Sequence, residues 1–542
     1  MPVRSLFRYQ SLYQTKILFI NVRSFTSSSS AEPRTNRTLQ QESPPQKTFW
    51  SPRVVFGGSN NTKCTIDQGS IVVNILNGTI ESCHPGESKE ESRAKRGTTT
   101  SLFVDLSNSS SGSCCLSPGL IDVHTHISSL GRNWEGYTTA TQAAAAGGIT
   151  TIIGMPLNSL PPTCSVEVVE QELALANQSS ELFIDVGLWG GVLPETASSL
   201  QKNNNNHPLS ELLAHPYVLG LKAFLSPLPP GAGYQAVTRE QLLNVAKLSG
   251  SFQKPILVHS ELMTQEELEQ SMQSAFPDDG SRDNSYGAHV KSRPAKWEQD
   301  AVQLVIDCTK YCDMHIVHLS DALGCLPLIQ KAKSSQNRKL TVETCPHYLL
   351  LDTHQIKDGD VRVKCFPPIR EPEQRDKLWD GLSSSLIDMI ASDHSPCEPS
   401  MRTEHTIKTA WGGLTGLQYQ LQATWTASKK VANDKKNSNS FFFDEADIAR
   451  WWSINPAKLA GLHDDRGSIE PGKQADFVFW DTSYLDKPEN YTREYHRWKG
   501  DCYYSTEELF GRVLSTWKSG IQVYDGINDK LLLSNGKYIK KE

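Results

Sequence analysis

The chain has 542 residues, a formal net charge of −6 and a pI near 6.2, so neither nucleic acid nor an anionic membrane surface is an expected partner. It is long enough to bury a large core and to hold more than one structural unit. No apolar run approaches the roughly 20 residues that span a bilayer, and the 12 scattered cysteines read as reduced, mostly buried thiols of an intracellular protein.

The first 31 residues carry Arg4, Arg8, Lys16 and Arg23, many hydroxyl residues and no acidic residue before Glu32. That composition suits a mitochondrial transit peptide. The segment Arg23-Ser-Phe-Thr-Ser-Ser matches an Arg-x-Phe-x-x-Ser processing signal, which places cleavage between Arg23 and Pro33. The plain alternative is a disordered tail, with a cytoplasmic or endoplasmic-reticulum address. Residues 1–48 are read as this leader.

From Trp50 to Leu106, short alternating runs split by polar turns predict strands. Glu87–Arg96 reads as a charged, solvated insertion, and Cys114-Cys115 cannot readily bridge to each other. From Pro118 to Leu462, apolar runs alternate with helical stretches, which predicts repeated βα units and a parallel sheet. Examples of the strands are Ile149–Ile153, Ile184–Leu188, Ile256–His259, Ile316–His318 and Met389–Ala391. Asn203–Asn206 and Ala432–Ser440 read as tolerated loop insertions. Strand-like segments return after Arg466, so residues 49–117 and 463–542 are expected to meet beside a barrel of residues 118–462.

Six residues lie at or just past the ends of these runs: His124, His126, Lys222, His259, His318 and Asp393. In a barrel of parallel strands the carboxyl ends are where chemistry gathers. His124-Thr-His126 puts two imidazoles on one face of a strand, because side chains alternate with period two. Alone, His259 and His318 read as hydrogen-bonded core residues, and Asp393-His394-Ser395 as a helix cap. Lys222 lies inside the apolar run Tyr217-Val-Leu-Gly-Leu-Lys-Ala-Phe-Leu, where an unpaired ammonium is costly. It either snorkels at the barrel rim or loses its proton and captures carbon dioxide as a carbamate. Together, four imidazoles, one carboxylate and such a lysine imply a hydrolytic centre of two metal ions.

Longer motifs sharpen this reading. They are Trp134-Glu-Gly-Tyr, Ala145-Ala-Gly-Gly-Ile-Thr-Thr-Ile-Ile-Gly-Met-Pro-Leu-Asn, Ser292-Arg-Pro, Glu343-Thr-Cys-Pro-His-Tyr-Leu, Lys364-Cys-Phe-Pro-Pro-Ile-Arg, Ser392-Asp-His-Ser-Pro-Cys and Trp411-Gly-Gly-Leu-Thr-Gly-Leu-Gln. From about residue 52 to 525 the chain resembles the cyclic amidohydrolases: dihydroorotases, hydantoinases, dihydropyrimidinases and allantoinases. The Asp-His-Ser-Pro-Cys form is most similar to the allantoinase branch. Two differences stand out. Ser128-Ser-Leu-Gly-Arg replaces the Asn-Glu-Pro-Gly-Arg usual in that branch, and Ser128 stands where a dihydroorotase places an arginine.

The resemblance implies a distorted (β/α)8 TIM barrel flanked by a small β-sandwich built from both chain ends. It implies a homotetramer and two zinc ions. His124, His126 and Asp393 would hold one ion and His259 and His318 the other, with Lys222 as the bridging N6-carboxylysine. Asp393 would shuttle the proton from water to the leaving ring nitrogen. The backbone at Cys365 and Gly412 would grip the ring, with Asn158, Thr344 and Ser395 as nearby polar groups. The implied reaction opens allantoin to allantoate. Hydantoinase, dihydropyrimidinase or dihydroorotase activity is the runner-up, and a non-catalytic dihydropyrimidinase-related scaffold would be expected to lack several of these ligands.

Overall fold

Strand runs of the kind Ile149-Thr-Thr-Ile-Ile are buried on both faces, as strands of a parallel sheet covered on each side must be. The computed structural model describes residues 45–541 except 58–63, 97–100, 108–112, 128–129, 180, 201–206, 230, 336–338, 435–442 and 492. The proposed leader up to residue 44, Ser128, the Asn203–Asn206 loop and most of the Ala432–Ser440 loop lie outside the described residues.

Amino-terminal strands β1 (Gln46–Phe56), β2 (Thr65–Asn74), β3 (Ile80–Pro85), β4 (Ser101–Asp105) and β5 (Cys114–Pro118) come first. Eight strands then follow, β6 (Leu120–Thr125), β7 (Ile149–Gly154), β8 (Asp185–Gly191), β9 (Val218–Phe224), β10 (Ile256–His259), β11 (Met314–Ile316), β12 (Leu340–Thr344) and β13 (Met389–Ile390). They pair in sequence order, each parallel to the next. Helices cross between them, several started by side-chain caps. Thr238 with Gln241 and Thr264 with Glu267 form capping boxes that satisfy the free amides of Arg239–Ser249 and Gln265–Ala275.

Inward side chains, among them Val123, Ile153, Trp189, Leu257, Val317 and Met389, fill the barrel as a packed core. Strands β6 and β13 share no ladder. The ring is closed at its carboxyl end by a bridge between Thr125 and His394, with the His126 amide donating to the His394 carbonyl at 2.8 Å. Barrel closure and the expected site thus coincide.

The last strands, β14 (Phe477–Asp486), β15 (Leu509–Lys518), β16 (Ile521–Asp525) and β17 (Lys530–Leu531), join the first five in one mixed sheet. Strand β14 pairs antiparallel with β5, so the two chain ends meet there. The β1 irregularity at Ser51–Val54 lets its first half pair with β4 and its second with β5. The charged insertion is more than a solvated stretch. Lys89–Arg96 is a helix, and Glu87 just before it is buried, accepting from Arg96 Nη1 at 2.5 Å and Lys95 Nζ at 3.1 Å. No helix among the described residues is long and apolar enough to cross a membrane.

Candidate active site

His124 and His126 leave the end of β6 on one face. Their Nε2 atoms lie 3.2 and 3.1 Å from the same oxygen, Asp393 Oδ1. Ligand atoms of these three residues all fall within 4.8 Å of one another, the spacing of a shared metal ion. Asp393 follows β13 with φ +48°, a left-handed conformation that L side chains rarely adopt. Burial raises its carboxyl, but the histidines His124, His126 and His318 outweigh burial and hold it well below the ordinary range. His318, also strained at φ +41°, sits two residues past β11. Its ring is 5.4 Å from that of His124 and 4.6 Å from that of His259.

Lys222, inside β9, is fully buried, and its Nζ makes no hydrogen bond to the described residues. Burial lowers its pKa to about 8, against the pull of Glu343 and Asp393. Its one close contact of another kind among the described residues is the Phe224 ring, whose centroid lies 5.0 Å from Nζ, so the amine is free of hydrogen-bonding competitors for a metal-site role. His126 Nδ1 and His318 Nδ1 are likewise buried without partners. The donor set of four imidazoles, a carboxylate and this lysine fits a pair of divalent ions.

The site opens into a cavity of about 410 Å³, within the range of small-molecule pockets. Asn158 (φ +69°), Ser395 and Gly412 line it, as do His124, His126, His259, His318 and Asp393. A Cβ on Gly412 would lie 2.4 Å from the Phe366 ring, and one on Gly413 (φ +131°) 2.4 Å from Ser395 Cβ, so this loop needs glycine to come so close. Lys364 clamps the same loop, donating to the carbonyls of Ala410 (2.7 Å) and Lys408 (3.2 Å).

Two expected contacts are not found. The Thr344 hydroxyl donates to the Leu319 carbonyl at 2.9 Å and is fully buried away from the cavity. Cys365 does not line the cavity either. Its carbonyl already accepts from His289 Nε2 at 3.0 Å, and its neighbours Lys364 and Phe366 form the wall instead. Sequence reasoning also missed an apolar wall, Leu268, Met272 and Phe276, facing the cavity from the helix Gln265–Ala275 and the residue after it. Leu268 and Met272 are four residues apart, a helical spacing that marks a shared face.

Further out, Asp122 Oδ1 accepts from the amides of His124 (3.2 Å) and Ser392 (3.1 Å) and ties the two closing segments together. Glu261 lies 2.9 Å from His259 Nε2 and accepts from Arg293 Nε and Nη2, one on each carboxylate oxygen. Burial pushes the Glu343 carboxyl up, but His124 and His315 beside it hold it down to about 2.

A strand-end cluster of this composition on a parallel barrel defines a metal-assisted hydrolase class, and sequence comparison agrees. The amidohydrolase family profile matches residues 115–520, and the chain belongs to that family. Among its relatives, the allantoinase of Arabidopsis thaliana is 37% identical over 431 residues, 76% of this chain and 78% of that protein. The allantoinase of Saccharomyces cerevisiae is 32% identical over 495 residues, covering 89% of this chain and 96% of that one. A mitochondrial allantoinase of Aquarana catesbeiana is 37% identical over 383 residues, 69% and 71% of the two chains. The solved L-hydantoinase (dihydropyrimidinase) of Arthrobacter aurescens superposes with a TM-score of 0.74 at 23% identity, over 91% of this chain and 99% of that one, which shows the shared fold.

Proposed function

We propose that the chain is an allantoinase, opening the hydantoin ring of allantoin to allantoate. The observation that carries this is the His124, His126 and Asp393 cluster at the strand ends of the barrel, inside a chain 32–38% identical to allantoinases from plants, yeast and bacteria. His124, His126 and Asp393 would hold one zinc ion, His259 and His318 a second, and carbamylated Lys222 both. Such ions, when bound, lower the pKa of water and stabilise the developing oxyanion.

The chain's own residues do the rest. Asp393 is held ionised by the histidines around it, so it can accept the proton of water and return it to the departing ring nitrogen. The loop of Gly412 and Gly413 approaches near enough for main-chain groups to hold the ring, with Asn158 and Ser395 beside it for the ureido arm.

Zinc-reconstituted protein assayed side by side on allantoin, hydantoin, dihydrouracil and dihydroorotate tests this reading. Allantoin is expected to be turned over fastest. Faster turnover of dihydrouracil or dihydroorotate would defeat the substrate while leaving cyclic-amide hydrolysis intact. Mitochondrial import belongs to the same proposal, supported by the basic, acid-free first 31 residues and by the mitochondrial relative. An intact Met1 on the native protein would oppose it. The homotetramer rests on the family resemblance alone, and mass photometry reads it directly.

A further inference from the structure

One fully buried carboxylate touches the metal residues without being counted among the ligands. Glu343, near the end of β12, lies with Oε1 2.5 Å from His124 Nδ1, and the same oxygen accepts the His318 amide at 3.2 Å. Its other oxygen lies 2.9 Å from His315 Nε2, whose Nδ1 is 2.8 Å from Thr341 Oγ1. An ionised carboxylate only accepts hydrogen bonds, so His124 carries its proton on Nδ1 and turns Nε2, the nitrogen nearest Asp393, toward the cluster. The backbone contact matters as much, because the His318 amide is held while that residue sits in a strained left-handed conformation.

His124 and His318 belong to different metal positions in the reading above, on which this step rests. We propose that Glu343 is a positioning residue that couples the two metal positions, so that losing its charge loosens both ions together. The rest of the cluster provides the contrast. Glu261 pairs with His259 alone among the six and is itself anchored by Arg293 at 3.0 and 2.5 Å, so it serves one position only. His126 Nδ1 has no hydrogen-bond partner among the described residues.

The test compares wild type, Glu343→Gln and Glu261→Gln, each loaded with zinc and dialysed. Zinc per chain is measured by mass spectrometry of the element, and release is timed with a chromophoric chelator. Outer partners of metal-bound histidine typically set affinity by about 10- to 100-fold. Wild type is expected to hold two ions, Glu261→Gln to release one of them about 10- to 100-fold faster, and Glu343→Gln to release both faster by that factor. Wild-type release of both ions from Glu343→Gln, or acceleration of only one, overturns the coupling. A wild type that holds a single ion instead defeats the two-metal reading, and the coupling with it. If Glu343→Gln does not fold, judged by near-ultraviolet circular dichroism, His315→Asn removes only the outer partner. It must then speed release of both ions by a smaller factor, and release unchanged from wild type counts against the proposal.

Discussion

Three cavity residues, Asn158, His318 and Asp393, have positive φ without being glycine. Each such conformation costs on the order of 1–3 kcal/mol and persists only where surroundings over-determine it. Here the surroundings are visible: the Glu343 carboxylate on the His318 amide, and the barrel-closing bridge beside Asp393. Lys222 is the complementary case, a group whose surroundings leave it incomplete. Replacing Asp393 by Asn keeps the shape but removes the proton acceptor, so kcat is expected to fall by about 10²- to 10⁴-fold. Replacing Lys222 by Ala should abolish activity and lower zinc content, with partial recovery on adding a short carboxylic acid that fills the vacated space. Near-normal turnover by either variant removes that residue from the mechanism.

At the level of elements, the strand ends were readable because β-branched runs stopped at chemically unusual residues. The histidines at the ends of β6 and β10 and just past β11 could be placed from that pattern alone. Thr344 shows what the pattern hides. Glu343 points at the site, so period-two alternation sends the next side chain to the other face of β12, where its hydroxyl meets Leu319. Glu261 and His315 carry no local signal, and Glu343 stands in a family-like motif without showing its role, since that role lies in partners on other strands. The insertion at Glu87–Arg96 misled for the opposite reason. Its charge run looked solvated, yet one carboxylate turns inward to meet Arg96 and Lys95. Burial raises that carboxyl, but Ser70, Arg96 and Lys95 together hold it down to about 2, below its unfolded value. Its stabilising contribution is therefore full above the ordinary carboxylate range and is lost as pH falls through about 2. Glu87→Gln is expected to cost about 1.5 kcal/mol at pH 7. The gap in thermal midpoint between variant and wild type should narrow as pH approaches that limit, and a gap independent of pH would show that the ion pairs do not carry it.

On the scale of the whole molecule, the two chain ends act as a base for the barrel. Asp185 begins β8, at the opposite end of the strands from the metal residues. It is fully buried, with Arg466 Nη1 at 2.8 Å and Lys518 Nζ at 3.1 Å, and its other oxygen accepts the Lys537 amide at 3.0 Å. Lys518 also reaches Asp476 at 3.0 Å, and Arg466 reaches Thr151 on β7 at 3.0 Å. Residues from the carboxyl-terminal segment, Arg466 ahead of β14 and Lys518 on β15, thus neutralise a charge at the foot of the barrel. Removing one partner from a buried pair strands the others, at about 3–5 kcal/mol. Asp185→Asn is therefore expected to lower the thermal midpoint markedly while leaving KM and kcat for the folded fraction unchanged, because the cavity lies at the far end. The comparison to make is differential scanning fluorimetry against turnover per folded chain. A variant that kept its midpoint would mean that the barrel does not depend on this ionic contact for its stability. One that lost turnover per folded chain would mean that the base and the site are coupled.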